Sequence, residues 1–249
     1  MTLTERTLYN YFDKNAFTTR NIDLPRKVKY KPRKKSTTSV TKDYNYRIWR
    51  TFSDFVKFIE DNPNTTIVEI DTVHGTRSGK VLLIFIFRNC SLMIAFIIDS
   101  CSELDVKEAI DKRYEVLGHE EFKRYFPVIL TDNRSEFKDP ESLELDNEGN
   151  QRTKIFYCNP MASYQKPYVE KNHEYIRYII PKGTSLNNRT QEEITLMMNH
   201  INNTARASLN GNTPFKLAQM LLDNSLLDKL SLKYIPTDEI HLKPALFKK

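Results

Sequence analysis

Residues 66–99, TIVEIDTVHGTRSGKVLLIFIFRNCSLMIAFIID, decide the fold. Thr66 to Asp71 alternates apolar and polar side chains, the period of a strand with one buried face. Gly75-Thr-Arg-Ser-Gly79 is a polar, glycine-bounded turn. Lys80 to Arg88 and Leu92 to Asp99 are two β-branched and aromatic runs joined by Asn89-Cys90-Ser91. This pattern predicts a three-strand antiparallel meander. Downstream, Leu104 to Leu117 has apolar residues at helical spacing, and Pro127 to Thr131 reads as a short strand buried on both faces. Thr153 to Tyr157 is a further strand candidate. Val169 to Ile180 and Gln191 to Ala205 read as helices, and Thr213-Pro214 opens another with proline in its first turn. The expected class is therefore α/β, a mixed sheet with one antiparallel half, flanked by helices and containing no internal repeat.

Upstream of the sheet, Phe52, Phe55, Val56 and Ile59 form the apolar face of an expected helix that opens the compact domain near Tyr44. Residues 2–15 suit a short amphipathic helix capped by Thr4, with Leu8, Tyr11 and Phe12 on one stripe. Between these two helices the charge is lopsided. Arg20, Arg26, Lys27, Lys29, Lys31, Arg33, Lys34, Lys35 and Lys42 face a single acid, Asp23, within a chain of net charge +6. Such a segment buries no core and attracts polyanions, with an affinity that salt weakens through counterion release. Nucleic-acid contact is one reading of it and a solvated linker is the other.

The 249 residues are 39% hydrophobic, enough for one sizeable core. The apolar runs 81–87 and 92–98 are too short to cross a bilayer, and the first residues are polar, so a cytoplasmic protein without membrane partners is expected. Cys90, Cys101 and Cys158 are an odd number, widely spaced and without a C-x-x-C pair. They support neither a disulfide framework nor a zinc site.

Asp71 and Asp132 are expected at strand ends, where open α/β sheets bind ligands. On neighbouring strands, two carboxylates repel unless a cation lies between them, and hard oxygen ligands suit Mg²⁺ or Mn²⁺. Equally, each Asp alone suits a cap for the turn that follows. Glu170, His173, Glu174 and Arg177 share one face of the helix after Pro167, either as further site residues or as a salt-bridged surface. Glu170-x-x-His173 matches half of a di-iron bundle motif, but that motif needs a second copy and the chain has one.

Taken together, several stretches resemble a bacterial insertion-sequence transposase of the IS-thirty type. They are Val-Glu-Ile-Asp71-Thr-Val-His-Gly, Val-Ile-Leu-Thr-Asp132-Asn, Tyr164-Gln165-Lys166, the run from Glu170 to Gly183, and Asn199-His-Ile-Asn-Asn with Thr213-Pro-Phe. The resemblance spans nearly the whole chain. It implies a ribonuclease-H-like, retroviral-integrase-like catalytic core with an Asp-Asp-Glu triad on Asp71, Asp132 and Glu170, holding two Mg²⁺ (or Mn²⁺) ions. The activity implied is metal-dependent cleavage at element ends and strand transfer into target DNA, with double-stranded DNA as partner and a homo-oligomer as working form. Lys166, Lys171 and Arg177, with Arg26, Lys27, Lys29, Lys31, Arg33, Lys34 and Lys35, are then candidate phosphate contacts. His173 and Asn133 are candidate accessory residues, His173 either at the scissile phosphate or as a surface or capping side chain.

The resemblance divides the chain into a residual recognition helix (residues 1–16), a basic linker (17–43), the catalytic core (44–222) and a C-terminal tail (223–249). The first of these resembles the last helix of a helix-turn-helix without the helices that support it, so an N-terminal truncation is expected. Three departures stand out: Arg134 where the family pattern carries glycine, Asn159 where it often carries aspartate, and Lys166-Pro167-Tyr168 in place of a glycine-containing turn. Glycine permits close backbone approach that Arg and Pro do not. A catalytically impaired DNA-binding relic, or a regulator of an intact transposase, is thus the alternative expectation.

Overall fold

The computed structural model describes residues 4–21 and 45–247. Two compact units divide the chain, Met1–Lys42 and Asp43–Lys249. In the first, α1 (Glu5–Asp13) begins where expected, with the Thr4 side chain accepting a hydrogen bond from the Thr7 backbone N–H. None of its residues is buried, and the Phe17 ring packs against Tyr11 and Phe12. The basic positions Arg26, Lys27, Lys29, Lys31, Arg33, Lys34 and Lys35 lie outside the described residues.

The second unit opens with α2 (Phe52–Asp61), started by a reciprocal cap: the Asp54 N–H donates to Thr51 Oγ1 and the Thr51 N–H to Asp54 Oδ2. Phe55 is its buried anchor, with Phe52, Phe58 and Ile59 packed around the same cluster. Val56, expected on that face, is exposed instead, and Phe58 takes the packing role.

The meander forms as expected from β1 (Ile67–His74), β2 (Val81–Phe87) and β3 (Met93–Ile98), all antiparallel. A Cβ on Gly75 would lie 2.1 Å from the Thr184 carbonyl oxygen, so the β1–β2 turn approaches that segment only because residue 75 is glycine. Next come α3 (Glu103–Leu117), α4 (His119–Tyr125), β4 (Val128–Thr131), α5 (Pro140–Glu144) and β5 (Lys154–Tyr157). Then follow α6 (Pro167–Ile179), α7 (Gln191–Asn202), α8 (Pro214–Leu221) and α9 (Asn224–Lys229). The sheet order is β3-β2-β1-β4-β5, with β4 parallel to β1 and β5 parallel to β4. Three antiparallel strands, two more running parallel to the first on its other side, and flanking helices make the ribonuclease-H-like arrangement that the resemblance implies.

Both faces of the sheet are covered. On β4 the side chains alternate: Ile129 joins the large cluster built with α3, α6 and α7, while Val128 and Leu130 pack with Phe55 of α2. Leu226, Leu227, Leu230 and Leu232, in the span expected as a tail, are buried in the large cluster. Among the described residues, no helix is long and apolar enough to cross a membrane.

One strand boundary differs from expectation in a way that matters for the site. Asp71 does not end β1: antiparallel pairing with β2 carries the strand on to His74 opposite Val81. It is β4 that stops, and Asp71 lies just beyond its last pairing.

Candidate active site

The register of β1 on β4 brings the two aspartates to one place. Glu69 pairs with Leu130, and two residues further along each chain stand Asp71 and Asp132. Asp71 sits in the sheet with its side chain 8% exposed, whereas Asp132, just past the end of β4, is 25% exposed.

Between them lies Arg134. Its Nη1 is 2.9 Å from Asp71 Oδ1, its Nε is 3.2 Å from Asp132 Oδ2, and its backbone N–H donates to Asp132 Oδ1. Nη1 also donates to the carbonyl and the hydroxyl of Thr72, which in turn donates to the buried carboxylate of Glu136. Burial alone would lower the guanidinium pKa, but Asp71, Asp132 and Glu136 outweigh it and hold Arg134 above its ordinary value.

Lys166 enters from the other side. It is buried, donates from Nζ to the Ile70 carbonyl, and places Nζ 3.7 Å from Asp71 Oδ2 and 3.5 Å from Asp132 Oδ2. His173, on α6, has Nε2 3.7 Å from Asp71 Oδ2. Burial pushes its pKa below 6.5, with Lys166, Arg177 and Arg134 adding to the shift and Asp71 opposing it. At neutral pH it is therefore an uncharged imidazole, and its buried Nε2 makes no hydrogen bond among the described residues.

The structure thus gathers Asp71, Asp132, Lys166 and His173 around Arg134. Glu170 is on the same helix as His173 but is exposed, and no group of three His, Cys, Asp or Glu residues among those described is placed to hold a metal ion. Lys171 is exposed on α6, and Arg177 donates to the His74 carbonyl. Asn133 turns away from the acids: its Nδ2 donates to the Cys158 carbonyl and its Oδ1 accepts from Tyr46 Oη.

Helix α6 is positioned by a residue the sequence did not single out. No side chain of its own caps its start at Lys166. Instead Glu69, fully buried on β1, accepts the Val169 N–H at Oε2 and Arg88 Nε at Oε1, while Arg88 Nη2 donates to the Gln165 carbonyl. Burial raises the Glu69 pKa, against the pull of Arg88, the Val169 N–H and Lys166. Glu69 and Asp71 are two apart in a strand and so face the same way, the one signal in the sequence that tied Glu69 to the site and that went unread.

A pair of divalent cations does not fit this arrangement. Magnesium requires oxygen ligands at about 2.1 Å in near-octahedral geometry. Here all four oxygens of Asp71 and Asp132 already face an N–H or cationic nitrogen, and the charges of Arg134 and Lys166 balance those of the two carboxylates.

No family model matches the chain. Among known proteins, it is 26% identical over 147 residues to a putative integrase, ORF3, of Spiroplasma virus SpV1-R8A2 B, covering 59% of this chain and 44% of that one. It is 29% identical over 162 residues to the transposase for insertion sequence element IS4351 of Bacteroides fragilis, covering 64% and 46% respectively. The chain thus spans less than half the length of these two relatives. Among solved structures, the catalytic core domain of BIV integrase aligns with 16% identity and a TM-score of 0.44, over 64% of this chain and 97% of that one. The relatives of this chain are insertion-sequence transposases and a viral integrase.

Proposed function

We propose that this chain is a DNA-acting protein of the insertion-sequence transposase kind, of the IS-thirty type, and that in its present form it binds DNA without cutting or joining it. The acid pair carries the first half of the reading. Asp71 and Asp132 meet at the end of β4, the place where an open α/β sheet presents its ligand groups. The third acid that the resemblance implies is Glu170, which is exposed on α6. Exposed Lys171 and the basic positions 26–35 are the phosphate contacts of this reading, which fix DNA without reading its sequence.

Arg134 carries the second half. A carboxylate pair held by an arginine and a buried lysine satisfies itself, and the residues present bind one another rather than a phosphate undergoing substitution. Such a protein is a DNA-binding relic, or a regulator that competes with an intact transposase for DNA. The competing reading, an active enzyme that cleaves element ends and transfers strands, is favoured by one observation: the Arg134 side chain is 45% exposed and has room to swing out.

Two readouts on one labelled duplex test the proposal. Fluorescence anisotropy should report binding that weakens steeply with salt and is not weakened by Asp71→Ala or Asp132→Ala. Gel analysis in Mg²⁺ and in Mn²⁺ should find neither nicked nor joined product. Product that disappears in Asp71→Ala would establish the active enzyme, and absence of binding at low salt would overturn the assignment to DNA.

A further inference from the structure

We infer that Arg134 is a built-in substitute for a divalent cation, and that removing this one side chain converts the Asp71–Asp132 pair into a Mn²⁺ site. The inference rests on the acid-pair reading above. Its test contains no DNA, so the two stand or fall separately.

The cationic groups around the pair are held unequally. Lys166 is buried, bonded to the Ile70 carbonyl, and no closer than 3.5 Å to either carboxylate. It is a fixed charge at long range. Arg134 makes the shorter contacts, 2.9 Å to Asp71 and 3.2 Å to Asp132, and is the nearest side-chain cation to both acids among the described residues. Without its side chain, two carboxylates would share one distant ammonium, and that excess of negative charge must bind a proton or a cation.

The remaining donor atoms favour a cation. Asp71 Oδ1 and Asp132 Oδ2 would lose their closest side-chain partner, and the Thr72 carbonyl would lose the Arg134 Nη1–H. Near Asp71 stands the buried Nε2 of His173, 3.7 Å from Asp71 Oδ2 and without a hydrogen bond among the described residues. Oxygen ligands with one imidazole nitrogen suit Mn²⁺ better than Mg²⁺ or Ca²⁺, which take oxygen almost exclusively. His173 is thereby assigned as a latent metal ligand, a role that also accounts for a buried ring nitrogen with no hydrogen bond among the described residues.

The experiment is a calorimetric titration of MnCl₂ into the wild-type chain, Arg134→Gly, and Arg134→Gly combined with Asp132→Ala, with melting temperature followed in parallel. Wild type should give no saturable heat. Arg134→Gly should bind one Mn²⁺, with Tm rising by roughly 5–10 °C at a hundredfold excess over the dissociation constant. The added Asp132→Ala should abolish both effects, and His173→Gln on the Arg134→Gly background should weaken binding about tenfold or more. Arg134→Met, which keeps the side-chain bulk without the charge, is the second variant if Arg134→Gly does not fold by circular dichroism. Saturable wild-type binding that Asp132→Ala removes would overturn the inference, as would a folded Arg134→Gly that binds no Mn²⁺. If neither variant folds even with Mn²⁺ present, Arg134 supplies something no ion replaces, and the inference fails as well.

Discussion

Arg134, Lys166 and His173 all converge on Asp71, whereas Asp132 shares only the first two and is the more exposed acid. The two aspartates should therefore differ in their effect on stability. Asp71→Ala leaves a buried lysine and the Arg134 guanidinium with one carboxylate on the rim, and should cost about 3 kcal/mol, within the range for breaking a buried pair. Asp132→Ala should cost about 1 kcal/mol, because Asp132 is itself 25% exposed and its removal leaves both cations with the buried Asp71. Urea unfolding of both variants measures the difference through the midpoint at constant slope; equal costs would mean that Asp71 is not the hub. Asp71 was expected at the end of an alternating strand and Asp132 after the apolar run 127–131, and the sheet register sets them side by side. Arg134 was legible as an oddity, but its role depends on Thr72 and Asp71, which the sheet register alone brings to it. Glu69 went unread because a lone Glu in an alternating strand looks like a solvent-facing residue until α6 is seen to cover it.

At the level of elements, the long periodic segments and the short strands β4 and β5 were legible, and the short helices α4 and α5 were not. α3 and the meander followed their patterns, whereas α4 has seven residues and α5 has five, too few turns to establish a period. The length of β1 was misjudged because its partner sets it: β2 pairs with it beyond the point where β4 ends. Helix α6 carries the sharpest test at this scale. Glu69 caps it from another element, so Glu69→Ala should free the Val169 N–H, strand Arg88 without its carboxylate, and cost about 3 kcal/mol. Hydrogen exchange should show lost protection at Val169 while the β1–β2 ladder stays protected.

Helix α7 holds the C-terminal span in a pH-sensitive way. The His241 backbone N–H donates to His200 Nδ1, which can accept only while the ring is neutral. Burial, helped by His241 and opposed by Glu239, places the His200 pKa below 6.5. The unfolded chain therefore takes up this proton first. The contribution is complete above pH 6.5 and is lost as pH falls through the lower folded value. Between pH 7.5 and 5, His241 should lose exchange protection relative to Lys233, whose N–H is held by Asn199 Oδ1 instead. His200→Gln should remove that pH dependence.

For the whole molecule, composition marks a basic stretch ahead of the apolar-rich remainder of the chain. Seven cations, Arg26, Lys27, Lys29, Lys31, Arg33, Lys34 and Lys35, lie within ten residues, and replacing all of them by serine would take the chain from a net charge of +6 to −1. Each phosphate neutralised on duplex DNA adds about 0.9 to the slope of log affinity against log salt concentration. If these residues carry the DNA contact, the seven-serine variant should lose up to about 6 from that slope. Arg134→Gly should leave the slope nearly unchanged, because Arg134 is already neutralised by Asp71 and Asp132. Anisotropy titrations of a labelled duplex over a range of NaCl concentrations separate the cases. A slope that survives in the seven-serine variant would move the DNA-binding face to the compact domain, where Lys171 is exposed on α6.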